Sequence, residues 1–132
     1  AIVIGEKSFT SLEEAFAAVP DCEDMINGEP TYVKLKGTIE VNNTINVPEK
    51  KNIMLVAAED NTTIKRVAGF TESMFTVNGG NLQMAGGSVT DSDGNAIGSG
   101  SLTVDGTGDD VTGSIVEVAS GNYALIDGTT LT

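Results

Sequence analysis

The sequence predicts an all-β domain built from stacked coils whose strands pair in parallel. Its clearest signal is an internal repeat, because residues 75–84 and 116–125 both read as apolar-x-apolar, a Gly-Asn turn, then apolar-x-apolar. Apolar strands also recur at offsets of 20 and 22 residues, from Leu35 to Leu55 and from Leu55 to Val77. Repeats of short strands are typical of solenoids, in which each coil buries its apolar face against the next. Antiparallel hairpins would instead return every ~8–12 residues.

The composition agrees with this class and limits the chemistry. The 132 residues fit one domain, and 16 glycines with only 5% aromatic residues favour tight turns around a slim core. A net charge of −12 makes nucleic acid and anionic membranes unfavourable partners, and no apolar stretch has the length that membrane insertion requires. The absence of histidine excludes Ser-His-Asp and Cys-His catalysis and the usual zinc sites.

The N-terminal part of the chain predicts a strand, a helix and a loop. Ile2–Ile4 form a short apolar strand, and Ser11 with Glu14 forms a capping box that begins a helix. Pro20 ends this helix, and a polar loop follows over residues 21–31. Apolar residues recur within the helix at i, i+3, i+4 and i+7, and they form one stripe: Leu12, Ala15, Phe16 and Val19.

The rest of the chain predicts a series of strands with one insertion. Asp91–Ser101 are rich in Gly, Ser and Asp and therefore predict an inserted loop. The offset of 41 residues between Val77 and Val118 leaves room for one intermediate rung, which would contain Leu102–Val104. Alternation with period two predicts strands over residues 32–36 and 39–41, and further strands follow over 44–47 and 62–66. The continuous apolar run over 52–56 predicts a strand packed on both faces.

Six motifs follow one another along most of the chain: Ser11–Ala15, Val33–Ile39, Thr44–Pro48, Lys51–Leu55, Ser73–Leu82 and Gly128–Thr132. Together they resemble the right-handed parallel β-helix proteins, specifically the pectate-lyase-like repeats in adhesin-like surface proteins of gut bacteria. The resemblance implies a single right-handed parallel β-helix of about four or five coils. It also implies that the apolar stripe of the helix covers the open end of the first coil.

The resemblance also sets the expected organisation and function. We expect one domain over residues 1–132, with the strand, capping helix and loop in 1–31 and the coils in 32–132. We expect it to be a segment of a larger exported protein, located outside the cell or on its surface. The expected role is structural or adhesive and not catalytic. Expected partners are glycans, proteins of host or cell surfaces, and a second copy bound through the C-terminal rung at Gly128–Thr132, which has no evident cap.

Two other functions remain open on the sequence. A polysaccharide lyase or glycoside hydrolase would need calcium or paired acids, together with a basic residue. Arg66 is the only arginine, and beside Lys65 on a strand it is expected at the surface. A carbohydrate-binding module would present Tyr32 or Tyr123 on a groove wall, although Tyr123 is more readily a core or stack-end residue. The candidate calcium ligands are Asp91, Asp93, Asn95, Asp105, Asp109 and Asp110.

Overall fold

The computed structural model describes all 132 residues, and most of the ordered structure is β-strand, as the sequence predicted. It has one helix, and no helix has the length and apolar character that crossing a membrane requires. The helix is α1 (Leu12–Ala18), and the strands are β1 (Ile2–Ile4), β2 (Lys7–Phe9), β3 (Thr31–Leu35), β4 (Thr38–Val41), β5 (Ile45–Pro48), β6 (Asn52–Ala57), β7 (Thr62–Arg66), β8 (Phe75–Ala85), β9 (Val89–Thr90), β10 (Ala96–Gly98), β11 (Leu102–Asp105), β12 (Val116–Ile126) and β13 (Thr129–Leu131).

The largest sheet is mixed, with the strand order β12-β8-β6-β3-β1-β2. The first four strands in this order pair in parallel, and the buried residues Val33, Leu55 and Met84 lie opposite one another in register, followed by Leu125. β5 pairs in parallel with the first half of β8. The antiparallel part is confined to one edge, where β1 pairs with β3 and β2.

A second sheet contains β13, β11, β7 and β4 in that order, and every pair in it is parallel. Ile39, Ile64, Val104 and Leu131 lie opposite one another across this sheet. A separate antiparallel hairpin joins β9 to β10 within the segment predicted as an insertion. Strands that are far apart in sequence therefore pair in parallel, and antiparallel pairing occurs only between β1 and its neighbours and in the insertion.

The predicted offsets of 20 and 22 residues are wrong. Leu55 lies opposite Val33 instead of Leu35, and on its other side it lies opposite Met84 instead of Val77. The error arises because the loops between strands differ in length. Equal spacing along the chain therefore matches residues that do not lie opposite each other in the sheet.

The 41-residue repeat behaves differently. Its two copies, β8 and β12, pair directly, with Val77 opposite Val118 and Asn81 opposite Asn122. The intermediate rung predicted between them is absent, because Leu102–Val104 belong to β11 in the second sheet. Each copy is one bent strand of 11 residues, and the Gly-Asn pair marks the bend instead of a hairpin turn.

The helix begins as predicted, with Ser11 as its N-cap residue. The Glu14 backbone N–H donates to Ser11 Oγ at 3.1 Å, which satisfies one of the free amides of the first turn. The Glu14 carboxylate accepts from the Thr10 hydroxyl at 2.8 Å instead of reaching back to Ser11. At the other end, the Lys51 ammonium donates to the Val19 carbonyl, so a lysine from the strand region closes the helix.

All four residues of the helical stripe are buried. Leu12, Ala15, Phe16 and Val19 are at most 4% exposed. The helix contacts β1, β2 and β5, and the Phe16 ring lies 6.2 Å from the ring of Phe75, centroid to centroid. The stripe therefore belongs to the same apolar cluster as the inward residues of the strands.

Two glycines let neighbouring strands approach closely at the bend. A Cβ on Gly80 would lie 2.5 Å from the Pro48 carbonyl oxygen and 2.7 Å from Val47 Cγ1. A Cβ on Gly121 would lie 2.2 Å from the Gly80 carbonyl oxygen, and the φ of Gly121 is +97°. The glycine of the repeated Gly-Asn pair is therefore required by backbone contact between successive strands.

Replacement of Gly80 by alanine should destabilise the protein by about 1–3 kcal/mol, because the added methyl group has no space against the Pro48 carbonyl. Gly87→Ala is the control, since its Cβ would meet only the Asp127 backbone, with the carbonyl oxygen at 3.2 Å. Urea unfolding followed by circular dichroism measures both. Equal costs for the two variants would contradict the tight contact at Gly80.

Candidate functional site

The proposed calcium ligands are not brought together. Asp91 Oδ1 accepts from the backbone N–H groups of Asp93 and Asn95, each at 2.9 Å, and so orders the turn between β9 and β10. Asp105 at the end of β11 accepts from the hydroxyl and backbone N–H of Thr107, and these hydrogen bonds, the hydroxyl first, lower the pKa of Asp105. No group of three or more acidic or cysteine side chains is arranged to hold a metal ion.

The remaining two acidic candidates, Asp109 and Asp110, lie exposed in the loop after β11. Asp110 has a φ of +59°, and Asp109 lines a shallow groove together with Glu40 and Lys65. The acidic residues that the sequence suggested as one cluster thus form separate local turns.

Arg66 is buried, and its predicted surface position is wrong. It is 3% exposed and points inward from β7, like Ile64 two residues before it. Nε donates to the Gly106 carbonyl at 2.8 Å, and Nη1 donates to the carbonyls of Phe70, at 3.1 Å, and Glu72. The guanidinium carbon also lies 4.9 Å from the centroid of the Phe70 ring.

This arrangement joins three parts of the chain. Arg66 ties β7 to the loop that follows it and to the loop after β11. Nη2 has no hydrogen-bond partner. Period-two alternation could have identified the inward direction of Arg66, because Thr62 and Ile64 set the inward face of β7.

A groove runs along the outer face of the largest sheet, beside the inserted hairpin. One part, of about 530 Å³, is lined by Lys34, Lys36 and Ile97 among others. An adjoining part, of about 410 Å³, shares Lys34 and Ile97 with the first and also includes Tyr32. The hairpin packs on β6, because a Cβ on Gly98 would lie 2.1 Å from Val56 Cγ1.

Tyr32 lines this groove and belongs to a small hydrogen-bond network. Its hydroxyl donates to Glu29 Oε1 at 3.0 Å, and Ser92 of the hairpin donates to the same carboxylate through its backbone N–H and its hydroxyl. The Ser92 hydrogen bonds, the backbone one first, lower the pKa of Glu29. Burial, followed by the bond to Glu29, raises the pKa of Tyr32 to about 12. Sequence reasoning missed this network because it depends on a loop 63 residues away.

The other tyrosine lies elsewhere. Tyr123 is on β12, is partly buried against the apolar cluster, and donates its hydroxyl to Met84 Sδ at 3.4 Å. Burial raises the pKa of Tyr123. Tyr32 is therefore the one tyrosine that lines the groove, and Tyr123 lies on β12 at the edge of the largest sheet.

The last strands form a second candidate surface. Val118 is 46% exposed and Leu125 is 49% exposed, whereas their register partners Val77 and Met84 on β8 are fully buried. The side chains of Val118 and Leu125 lie on the same face as those of Val77 and Met84, but β12 pairs with a strand on one side only.

No protein-family model, curated protein or solved structure matches the chain. The resemblance to pectate-lyase-like repeats therefore rests on the sequence motifs.

Arg66→Ala should destabilise the fold by about 2–4 kcal/mol, because three backbone carbonyls lose a charged donor in the interior. Lys65→Ala is the matched control, since the neighbouring side chain is exposed and should change the stability by less than about 0.5 kcal/mol. Unfolding in urea measures both values. A similar small effect for both variants would show that Arg66 does not hold the loops.

The Tyr32 hydroxyl should lose its proton only at an unusually high pH in the folded chain. In a Tyr123→Phe background Tyr32 is the sole tyrosine, and its ultraviolet titration midpoint should lie near pH 12. In urea the midpoint should return to about 10. Because the folded pKa is the higher one, the stabilisation is complete below about pH 10 and is lost as the pH rises through about 12.

The Glu29→Gln variant serves as the control for this titration. Removing the carboxylate removes the acceptor charge that opposes tyrosinate, so the midpoint should fall while burial still keeps it above the urea value. A midpoint near 10 in the folded chain would contradict the network.

Proposed function

We propose that residues 32–132 wind as a right-handed parallel β-helix. The chain would then serve as a non-catalytic structural or adhesive segment of an exported bacterial cell-surface protein. The observation that carries this proposal is the order in which paired strands follow one another along the chain. It passes through β3, β4 and β5, then through β6, β7 and the first half of β8, and each strand pairs in parallel with the equivalent strand of the previous turn.

The later strands support the same winding. The second half of β8 pairs with β6, β11 pairs with β7, and the first half of β12 pairs with the first half of β8. The second half of β12 and β13 then begin a further turn. The right hand of the winding is the one that parallel crossover connections adopt in about 98% of cases. With strands about 4.8 Å apart, about four turns would form a short rod.

The helix supports the proposal at the N-terminal end. Without a cover, the first coil would expose an apolar end and unpaired strand edges. The stripe of Leu12, Ala15, Phe16 and Val19 packs into the apolar cluster at β5 and β1, which is where a cap would lie. The proposed roles of these four residues are therefore to close the stack and to set where it begins.

A stacked rod suits a spacer or a presenting surface. Each inner coil is hydrogen-bonded to a coil on both sides, so bending it requires several backbone ladders to deform together. The net charge of −12 lies on a structure whose interior is almost entirely apolar, so the carboxylates are directed outward. Such a surface repels other acidic chains and favours basic or cationic partners.

The proposed enzymatic alternatives have less support. Asp91 and Asp105 are each engaged in their own turns, and the Arg66 guanidinium donates to carbonyls inside the fold. Neither arrangement presents a basic residue beside paired carboxylates, which lyase or hydrolase chemistry would require.

Carbohydrate binding is the second candidate, and the groove beside the hairpin favours it. Tyr32 lines the groove next to Lys34, and Glu29 and Asp91 supply acceptors for hydroxyl groups. Sugar sites commonly combine an aromatic face with several polar groups of this kind. If the segment is adhesive, this groove is the proposed binding site for its ligand.

A glycan array together with calcium titration tests the proposal. For a purely structural segment we expect no bound glycan, and a melting temperature that does not change with calcium. Glycan binding that is lost in Lys34→Ala but kept in Lys50→Ala would establish a binding module, because Lys34 lines the groove and Lys50 does not. A calcium-dependent rise in melting temperature that disappears in Asp91→Asn would establish a calcium site and contradict the present assignment.

A further inference from the structure

We infer that the groove beside the inserted hairpin binds an extended peptide segment of a partner protein. The segment carries acidic side chains at two alternate positions and a basic side chain two positions further on. The inference rests on the proposed adhesive role and adds to it the class of partner. The residues that carry it lie between Glu29 and Ser99, in the interior of the sequence.

The floor of the groove is a column of side chains on β3 and the residue after it. Lys36 and Lys34 line the part of about 530 Å³, and Lys34 and Tyr32 line the adjoining part of about 410 Å³. Val33 and Leu35, which alternate with them, are buried on the opposite face. Alternate residues of a strand lie about 6.6 Å apart. An extended peptide has the same period, so its alternate side chains can meet this column one to one.

The charge of the lining changes sign along this column. The part at Lys34 and Lys36 has no acidic residue in its lining, and neither lysine forms an ion pair with a carboxylate of the chain. Beyond Tyr32, the other part includes Glu29 and Asp91. Two carboxylates of a ligand are therefore matched at one end of the groove, and a cation is matched at the other.

The acidic end is arranged to receive a basic side chain. Hydrogen bonds from Ser92, the backbone one first, lower the pKa of Glu29, and the charge of Asp91 opposes this lowering. Asp91 engages only Oδ1 in its own turn. The two carboxylates are thus close enough to repel each other, and a basic side chain between them would offset that repulsion.

The hairpin supplies a free strand edge beside the column. β10 pairs with β9 along one edge only, and residues 96–98 line the groove whereas no residue of β9 does. The hairpin extends along the groove, because Ser92 binds Glu29 at one end and Ser99 lines the other end together with Lys36. An extended peptide can therefore add a strand to β10 and gain backbone hydrogen bonds as well as side-chain contacts.

The net charge of the chain selects among anionic partners. A charge of −12 repels a strongly acidic polymer, although charges more than about 8 Å away are largely screened at physiological ionic strength. A segment with two acidic residues and one basic residue has little net charge, so it meets the lysines without strong repulsion elsewhere. A uronic-acid polymer carries a charge on every sugar and no cation, so Glu29 and Asp91 would repel it.

A peptide titration followed by nuclear magnetic resonance tests the inference on the intact chain. The probe is the acetylated, amidated peptide Ser-Glu-Thr-Glu-Thr-Lys-Ser. We expect saturable shifts of backbone amides concentrated at residues 32–36 and 96–99. The peptide with glutamine at both glutamate positions should bind about tenfold or more weakly. No saturable shift at these residues with millimolar peptide, or equal binding of the two peptides, would overturn the inference.

Two double variants with the same net charge test the lysines. Lys34→Gln combined with Lys36→Gln should weaken binding of the probe by about tenfold or more. Lys50→Gln combined with Lys65→Gln is the matched control, because these two side chains are exposed and do not line the groove. Equal weakening by the two double variants would mean a general charge effect and would refute binding in the groove.

Backbone methylation of the probe tests strand addition without changing the protein. One peptide is N-methylated at its three charged residues and a second at its two threonines, so each blocks the amides along one edge of the strand. One of the two should bind about tenfold or more weakly than the unmodified probe. If both bind like the unmodified probe, the peptide does not pair with β10.

A uronic-acid oligomer is titrated in parallel to separate this inference from the proposed function. If the oligomer shifts the groove residues and the peptide does not, the class of partner is wrong while the adhesive role stands. If neither binds, the inference is overturned and the adhesive role loses its site. The cost of Gly80→Ala tests the stacked strands independently of either ligand.

Discussion

The structure depends on the parallel register of its inward-facing side chains. Val33, Leu55 and Met84 lie in one row across three strands and are fully buried, and Ile39, Ile64 and Val104 form a second row. Because side chains alternate along a strand, a shift of one residue in any of these strands would turn its apolar set outward. The loops can therefore vary in length and composition only if each returns the next strand to the same register. This requirement explains why the insertion between β8 and β11 is accepted.

The close contacts at the corners follow from the same requirement. Strands about 4.8 Å apart leave no room for a side chain where the bend of one strand lies against the backbone of its neighbour, and Gly80 and Gly121 meet this limit. Arg66 has the complementary role, because it fills the space where two longer loops leave the strand rows and supplies donors to their carbonyls. A polar group in the interior is tolerated there since its hydrogen bonds replace those of water.

The sequence predicts those features of the fold that depend on residues close together along the chain. The helix was predictable because its cap and apolar stripe lie within nine residues, and the equal length of the two copies identified β8 and β12 as equivalent strands. Their direct pairing was not predicted, because the sequence placed an intermediate rung between them. The other registers were not, because unequal loops hide the offset, as for Leu55 and Val33. The groove at Tyr32 and the hydrogen-bond partners of Arg66 depend on contacts made by the distant segments around Ser92 and Gly106. A motif search along the chain does not detect such contacts.

The two edges of the largest sheet differ in how far their apolar residues are covered. A side chain in a parallel row is shielded from water by the equivalent side chains of the strands on both sides. At one end the helix, β1 and the short strand β2 provide the cover. At the other end the same apolar rows stop at Val118 and Leu125 without a further strand. Positions that are fully buried at Val77 and Met84 are about half exposed at Val118 and Leu125, so the burial of this apolar face depends on strand pairing on both sides.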